Sequence, residues 1–252
     1  MLSVDDALEI ISEQTPSPTT ITLLVNEALV GYVLAADVTA PEAVPAFRAS
    51  IVDGYAIRFP SKASAFEKGT YPVSMISHAQ AIDLGELSEG EIARITTGAP
   101  LPPGADAVIM VEDTILQSMG EDGTEEATVE ILTSQIKKGE NVREVGSDVQ
   151  TGSVILKKGE GITSAGGELG LLASVGVKEV EVYKKPIVAI LSTGDEIVPH
   201  LRSEPLRLGE VRDTNRPTLI TAVKGTGFEA VDMGIASDKY VLQAIPLLSD
   251  RH

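Results

Sequence analysis

The sequence predicts a multi-domain protein of α/β and β class: an elongated mixed α/β first domain, an inserted β-barrel-like domain and an incomplete α/β domain. Three observations predict this. Apolar residues near the N-terminus recur at helical spacing; residues 46 to 142 hold only short β-rich runs between turn signals; beyond Lys185 strands and helices alternate. The boundaries follow those changes of texture: 1–45 with 143–181 for a discontinuous first domain, 46–142 for the insert, and 182–252 for the last domain.

Ser3 is placed to cap the first helix, Asp5 and Asp6 sit at its positive end, and Val4, Ala7, Leu8 and Ile11 form its apolar stripe. The Thr/Pro-rich stretch 15 to 20 stops it. Ile21 to Val25 reads as a strand, and Asn26 as the cap of a short helix through Val33. In the insert, strands are expected at Tyr55 to Phe59, Tyr71 to Ser77, Glu91 to Thr96, Ala107 to Val111 and Ala127 to Ile136, forming a small antiparallel barrel or sandwich. The acidic stretch Gln117 to Ala127 has only Met119 to bury and reads as the solvated tip of a hairpin. A strand at Ser153 to Leu156 and a helix from Glu168 to Ser174, stopping at Gly176, follow.

The last region yields a strand at Pro186 to Leu191, a helix from Thr214 to Gly225, a strand at Phe228 to Met233 and a final helix after Asp238. Such alternation implies parallel pairing through right-handed crossovers. Two parallel strands are too few for a sheet covered on both faces, so either a partner chain completes this domain or, the favoured reading, the sequence stops partway through it.

Composition excludes several function classes. The 252 residues carry 20 Lys and Arg against 37 Asp and Glu, a formal charge of −17, whereas a general nucleic-acid binder needs clustered cations. With 43% hydrophobic and 23% charged residues the chain can bury a core. The absence of cysteine excludes disulfides, a zinc-thiolate site and a cysteine nucleophile. No apolar stretch approaches the ~18 residues of a membrane span, and the N-terminus lacks a basic signal-peptide region, so a cytoplasmic protein with no membrane span is expected. His78, His200 and His252 do not fall at metal-ligand spacing.

The candidate chemistry lies at the ends of strands. VAILSTGDE, residues 188 to 196, runs a strand into a small-residue turn, placing Ser192, Thr193, Gly194, Asp195 and Glu196 outside the carboxyl end of a parallel sheet, where ligands of open α/β sheets bind. Asp238, in GIASD, ends the second strand at the same edge, and Asp213 precedes the intervening helix, which Thr214 or Asn215 would cap. Converging carboxylates repel unless a hard cation such as Mg²⁺ sits among them; capping and turn roles are the other reading. PAFRASIVDGYA, residues 45 to 56, contains Asp53-Gly54, a turn signal before a strand. RITTGAPLPPGADAVIMVEDT, residues 94 to 114, offers the hydroxyls of Thr96 and Thr97 to an oxyanion, or is simply a loop. NVREVGSDV, residues 141 to 149, sets Arg143 near Asp148, as an ion pair or as part of a site.

Together with ELGLLASVGVKEVEVYKKP and RDTNRPTLI, these segments, in this order and at these intervals, resemble the MoeA family of molybdopterin molybdenumtransferases, including the E domain of gephyrin. The resemblance covers residues 2 to about 240. It implies a homodimer, a molybdopterin-binding third domain and a Mg²⁺-dependent reaction. In that reaction molybdate enters the dithiolene of adenylylated molybdopterin and AMP leaves. It implies functional acids at Asp53, Asp148, Glu196 and Asp238, with Glu196, Asp238 and Asp195 as the metal-facing set. Thr97 is a further position it suggests near the site; Ser192, Thr193, Gly194 and Asp213 join Thr97 as substrate-facing residues through their place at the strand ends. An adenylyltransferase domain or protein would act upstream. The family's pterin-phosphate loop, Gly-Gly-x-Ser-x-Gly-x-x-Asp, and its fourth β domain have no counterpart here, so this chain is expected to be inactive or weakly active. The alternative is a gephyrin-like dimeric scaffold that clusters receptors or cytoskeletal partners without catalysis.

Overall fold

The structure, a computed structural model, describes residues 3–61, 65–78, 84–121 and 123–239. It divides into two compact units, one built from residues 1–36, 159–166 and 181–252, the other from residues 37–158 and 167–180.

In the first unit the N-terminal helix spans Val4–Gln14. Ser3 and Asp6 form a capping box: the Ser3 hydroxyl accepts the Asp6 amide at 3.1 Å and the Asp6 carboxylate accepts the Ser3 amide at 3.2 Å. None of its residues is buried; Val4, Leu8 and Ile11 are 75%, 58% and 61% exposed. After the strand Thr20–Leu24, the helix expected through Val33 is a single 3₁₀ turn, Glu27–Leu29, with Asn26 accepting the Ala28 amide. It ends early because the backbone is taken over by neighbouring chain: the Gly31 amide donates to Ile162 and the Leu34 amide to Glu160. Leu34, fully buried, bridges antiparallel to Val182.

The α/β part of this unit has the strand Ile187–Thr193, the helix Asn215–Gly225 and the strand Glu229–Ala236. The two strands pair in parallel, as the alternation of the sequence requires, from Ile187 opposite Glu229 to Thr193 opposite Ala236. The register shifts by one residue between Ile190, opposite Asp232, and Ser192, opposite Ile235. A short parallel pair, Ile197–Val198 with Val211–Arg212, follows the turn. The final helix expected beyond Asp238 lies outside the described residues, apart from the turn at Asp238 and Lys239.

The second unit is organised around a six-stranded sheet. Its strands are Gly54–Ile57, Gly69–Ser77, Ile92–Ile95, Ala107–Met110, Thr114–Met119 and Glu126–Ile131. Across the sheet the order is 107–110, 54–57, 92–95, 69–77, 126–131, 114–119. Two expectations need correction. The sheet is mixed, not antiparallel: the Gly69–Ser77 strand pairs antiparallel with Glu126–Ile131 through residues 69–72, then changes partner and runs parallel to Ile92–Ile95 through residues 73–77. A register shift between Val73 and Met75 marks the change and curls the sheet. The acidic hairpin tip is also shorter than expected, because Gln117–Met119 belong to the Thr114–Met119 strand. The Gln117 side chain bonds Glu130 at 2.6 Å and Ser118 bonds Thr128 at 2.6 Å across it.

The central strands read as continuous apolar runs because both faces of the sheet are covered. Tyr55, Ile57, Ile92, Ile109 and Val129 pack on one side with Phe59 and Phe66; Ala56, Ala93, Ile95 and Val108 pack on the other with Leu87 and Leu101. The helix Glu168–Ser174 buries Leu172 and ends before Gly176, as its sequence predicts.

Candidate functional site

Asp53 and Thr97 are brought together within the second unit. The register that sets Gly54 opposite Ile95 carries the residues beyond each strand into contact. The Thr97 amide donates to Asp53 Oδ1 at 2.8 Å, and the Thr97 hydroxyl lies 3.3 Å from the same oxygen. Both residues are exposed, and both contacts from Thr97 fall on the same carboxylate oxygen, Oδ1. Asp53 lies in a bend and Gly54 opens the strand Gly54–Ile57, so the segment turns directly into that strand. A Cβ on Gly54 would lie 1.9 Å from the Ile109 carbonyl oxygen, so only glycine admits that neighbouring strand.

Arg94, which the sequence reading passed over, supports this corner. Its Nη1 donates to the Gly54 carbonyl at 3.0 Å, and its guanidinium stacks 5.2 Å from the Tyr55 ring centroid. The Tyr55 hydroxyl donates to Glu126 at 2.7 Å; burial and that carboxylate push the phenol up to about 12, so it stays a neutral donor. The available signal was an arginine inside the otherwise apolar strand IARI.

Asp148 is ion-paired with Arg143, which sets aside neither of the two earlier readings. It stands beside a concavity of about 440 Å³ lined by Gly146, Gln150, Ile155 and Leu171 among others.

In the first unit, Ser192 and Thr193 end the first parallel strand, and the turn Gly194 to Glu196 leaves its carboxyl edge. The Gly194 amide donates to the Ala236 carbonyl at 3.1 Å, tying the turn to the end of the second strand, two residues before Asp238. Asp195, Glu196 and Asp238 are exposed at that edge. Asp213 is not. It is 2% exposed and accepts three hydrogen bonds: from the Ser192 hydroxyl at 2.9 Å, from Arg216 Nε at 2.7 Å and from the Arg216 amide at 3.2 Å. Burial pushes its carboxyl up, but the bonds from Arg216 and Ser192 outweigh this and hold it below the usual carboxylate range. The helix is thus capped by Asp213 through the Arg216 amide, while Thr214 makes no side-chain cap bond.

Among the described residues, no three acidic or histidine side chains are grouped so as to hold a metal ion. The donors at the edge suit a less demanding role, since Mg²⁺ keeps several waters and commonly takes only one or two carboxylates beside substrate phosphates. Among the described residues no helix is long and apolar enough to cross a membrane.

Residues 2–176 match the family model described as the MoeA N-terminal region, domains I and II. The chain belongs to the MoeA family. A molybdopterin molybdenumtransferase of Haemophilus influenzae is 36% identical over 239 residues, 94% of this chain and 55% of that protein. A gephyrin of Dictyostelium discoideum is 34% identical over 243 residues, 89% of this chain and 32% of that protein. A crystal structure of a molybdopterin biosynthesis MoeA protein from Pyrococcus horikoshii superposes with a TM-score of 0.79 at 33% identity, covering 98% of this chain and 60% of that one. The mixed α/β, strand-rich MoeA architecture is thereby shared across the chain, which spans about half the length of the bacterial enzymes it matches, 55% and 46% for those of Haemophilus influenzae and Bacillus subtilis.

Proposed function

We propose that this chain supplies the N-terminal part of a molybdopterin molybdenumtransferase, acting in molybdenum cofactor biosynthesis in the cytoplasm. Its substrates are adenylylated molybdopterin, received from an adenylyltransferase, and molybdate; AMP is released. The observation that carries the reading is the carboxyl edge of the parallel strands in a MoeA-family chain, where Thr193, Asp195, Glu196 and Asp238 are exposed around the buried Gly194. Glu196 and Asp238, with Asp195 adjacent, are the carboxylates that would hold Mg²⁺, which would offset phosphate and molybdate charge. The Gly194 turn and the Thr97 hydroxyl orient oxyanions. Asp53 and Asp148, both in the second unit, are the further acids that the reading assigns to function. Ser192 and Asp213 support this edge, since the Ser192 hydroxyl donates to Asp213 and Asp213 in turn accepts Arg216.

In the whole natural protein, Glu196→Gln and Asp53→Asn are each expected to cut molybdenum incorporation and AMP release on the order of 10²-fold, the scale on which single groups that stabilise developing charge act. Molybdenum bound to pterin, measured by elemental mass spectrometry, and AMP, measured by chromatography, give the readouts. Wild-type turnover in both variants would refute the site.

A homodimer is part of the reading, supported by the N-terminal helix whose Val4, Leu8 and Ile11 lie uncovered. Leu8→Asp is expected to shift the protein from dimer to monomer in sedimentation velocity; an unchanged dimer would remove this helix from the interface. The scaffold alternative gains nothing from the comparisons, in which gephyrin at 34% identity stands beside transferases at 36%.

A further inference from the structure

The parallel strands do not run in simple register to the edge that carries the candidate site. Ile190 stands opposite Asp232 and Ser192 opposite Ile235, so three steps on the second strand match two on the first. The extra residue is accommodated at Gly234, whose φ of +77° is costly for any side chain, and a Cβ there would meet no atom within 4 Å, so conformation and not space demands glycine. The Asp232 carboxylate closes the bulge by accepting the Gly234 amide at 2.9 Å.

Arg216 holds that carboxylate in place. Its Nη1 is ion-paired with Asp232 while its Nε holds Asp213 at 2.7 Å, and Asp213 in turn accepts the Ser192 hydroxyl at 2.9 Å. One side chain, itself only 9% exposed, therefore joins the last turn of the first strand, the start of the helix and the bulge of the second strand. Beyond the bulge, Thr193 meets Ala236 and the Gly194 amide reaches the Ala236 carbonyl.

We infer that Arg216 is a positioning residue that locks this bulge and so sets the register in which Asp238 is delivered beside the Gly194 to Glu196 turn. Removing the bulge slides the second strand by one residue, about 3.3 Å, and turns its side chains to the opposite face. Asp238 then points away from Glu196. Only the guanidinium fork reaches two carboxylates on different elements at once, so lysine cannot replace it. The inference rests on the proposed site for its functional meaning, but the lock is a physical claim about this chain and is tested separately.

The test is amide hydrogen exchange by NMR on the 252-residue chain carrying Arg216→Met, Arg216→Lys or Asp232→Asn. In Arg216→Met the Gly194 and Gly234 amides are expected to exchange at least ten times faster, while the ladder between Ile187–Ile190 and Glu229–Asp232 keeps its protection. Asp232→Asn, whose side-chain oxygen still accepts the Gly234 amide, keeps Gly234 protected but frees Gly194; Arg216→Lys falls between. Unchanged protection of Gly194 and Gly234 in Arg216→Met would overturn the lock. Uniform loss along the whole ladder in Arg216→Lys and Asp232→Asn would overturn it too, because Arg216 would then be a general support. Should Arg216→Met not fold, the other two variants decide. An inactive Glu196→Gln with an intact lock, or a failed lock with an essential Glu196, separates this inference from the proposed function.

Discussion

Gly54→Ala is expected to destabilise the second unit by about 3 kcal/mol or more, the range in which a side chain forced against a fixed backbone lies. The new Cβ would sit 1.9 Å from the Ile109 carbonyl oxygen and 2.8 Å from its carbon, with the Met110 Cα at 3.1 Å. None of these is the movable end of a side chain. Gly54 is central: its strand is hydrogen-bonded to Ile92–Ile95 on one side and Ala107–Met110 on the other. The only relief is to part the two strands, which strips both apolar faces of the sheet and displaces Asp53 from Thr97. Urea unfolding followed by circular dichroism measures the loss. Gly170→Ala is the matched control: it lies in the helix Glu168–Ser174 with no atom within 4 Å of an added Cβ, and should stabilise by about 1 kcal/mol. A Gly54→Ala protein as stable as wild type would show that the strands part without cost.

Asp213→Ala is expected to cost about 3 kcal/mol in the first unit, because it leaves the Arg216 guanidinium buried without its principal counter-charge. The pair is not an exposed one: Arg216 is 9% and Asp213 2% exposed. The same pair sets an acid dependence. The Asp213 carboxyl is held below its ordinary value of 3.8, with burial opposing and the bonds from Arg216 and Ser192 prevailing. Asp232 is lowered as well, first by the Gly234 amide and then by Arg216. A carboxyl with a depressed native value contributes stability that is complete above its ordinary value and lost as the pH falls through the native one. Wild type should therefore lose stability as the pH drops below about 4. Asp6, Glu89 and Glu210 are also lowered, so the difference between wild type and Asp213→Asn, not the wild-type curve alone, isolates the pair. That difference is expected to shrink toward zero on acidification. A gap that stayed constant between neutral pH and pH 3 would remove the charge on Asp213 as its cause.

Much of the local structure was legible because its causes are local. Ser3 and Asp6 are three residues apart, so the capping box of the first helix can be read directly. The strand, helix and strand between Ile187 and Ala236 were visible because their apolar periods differ, and parallel pairing follows from the crossover that joins them. The Thr114–Met119 strand was missed because Ile115, Leu116 and Met119 are 48%, 47% and 42% exposed, so it carries no inward alternation. Its existence depends on pairing with Glu126–Ile131.

At the candidate site, residue order alone shows which side-chain types stand where: small residues and acids at strand ends, Asp53 before a glycine and Thr97 in a loop. Which of them meet is set by packing. Asp53 touches Thr97, 44 residues away, because Gly54 pairs with Ile95, and that pairing requires a glycine to let the Ile109 backbone approach. Asp213 turned from a ligand-facing acid into a buried anchor because Arg216, one helical turn on, and Ser192, on another strand, converge on it. Contacts between residues distant in sequence depend on register and burial, which are properties of the whole packed sheet.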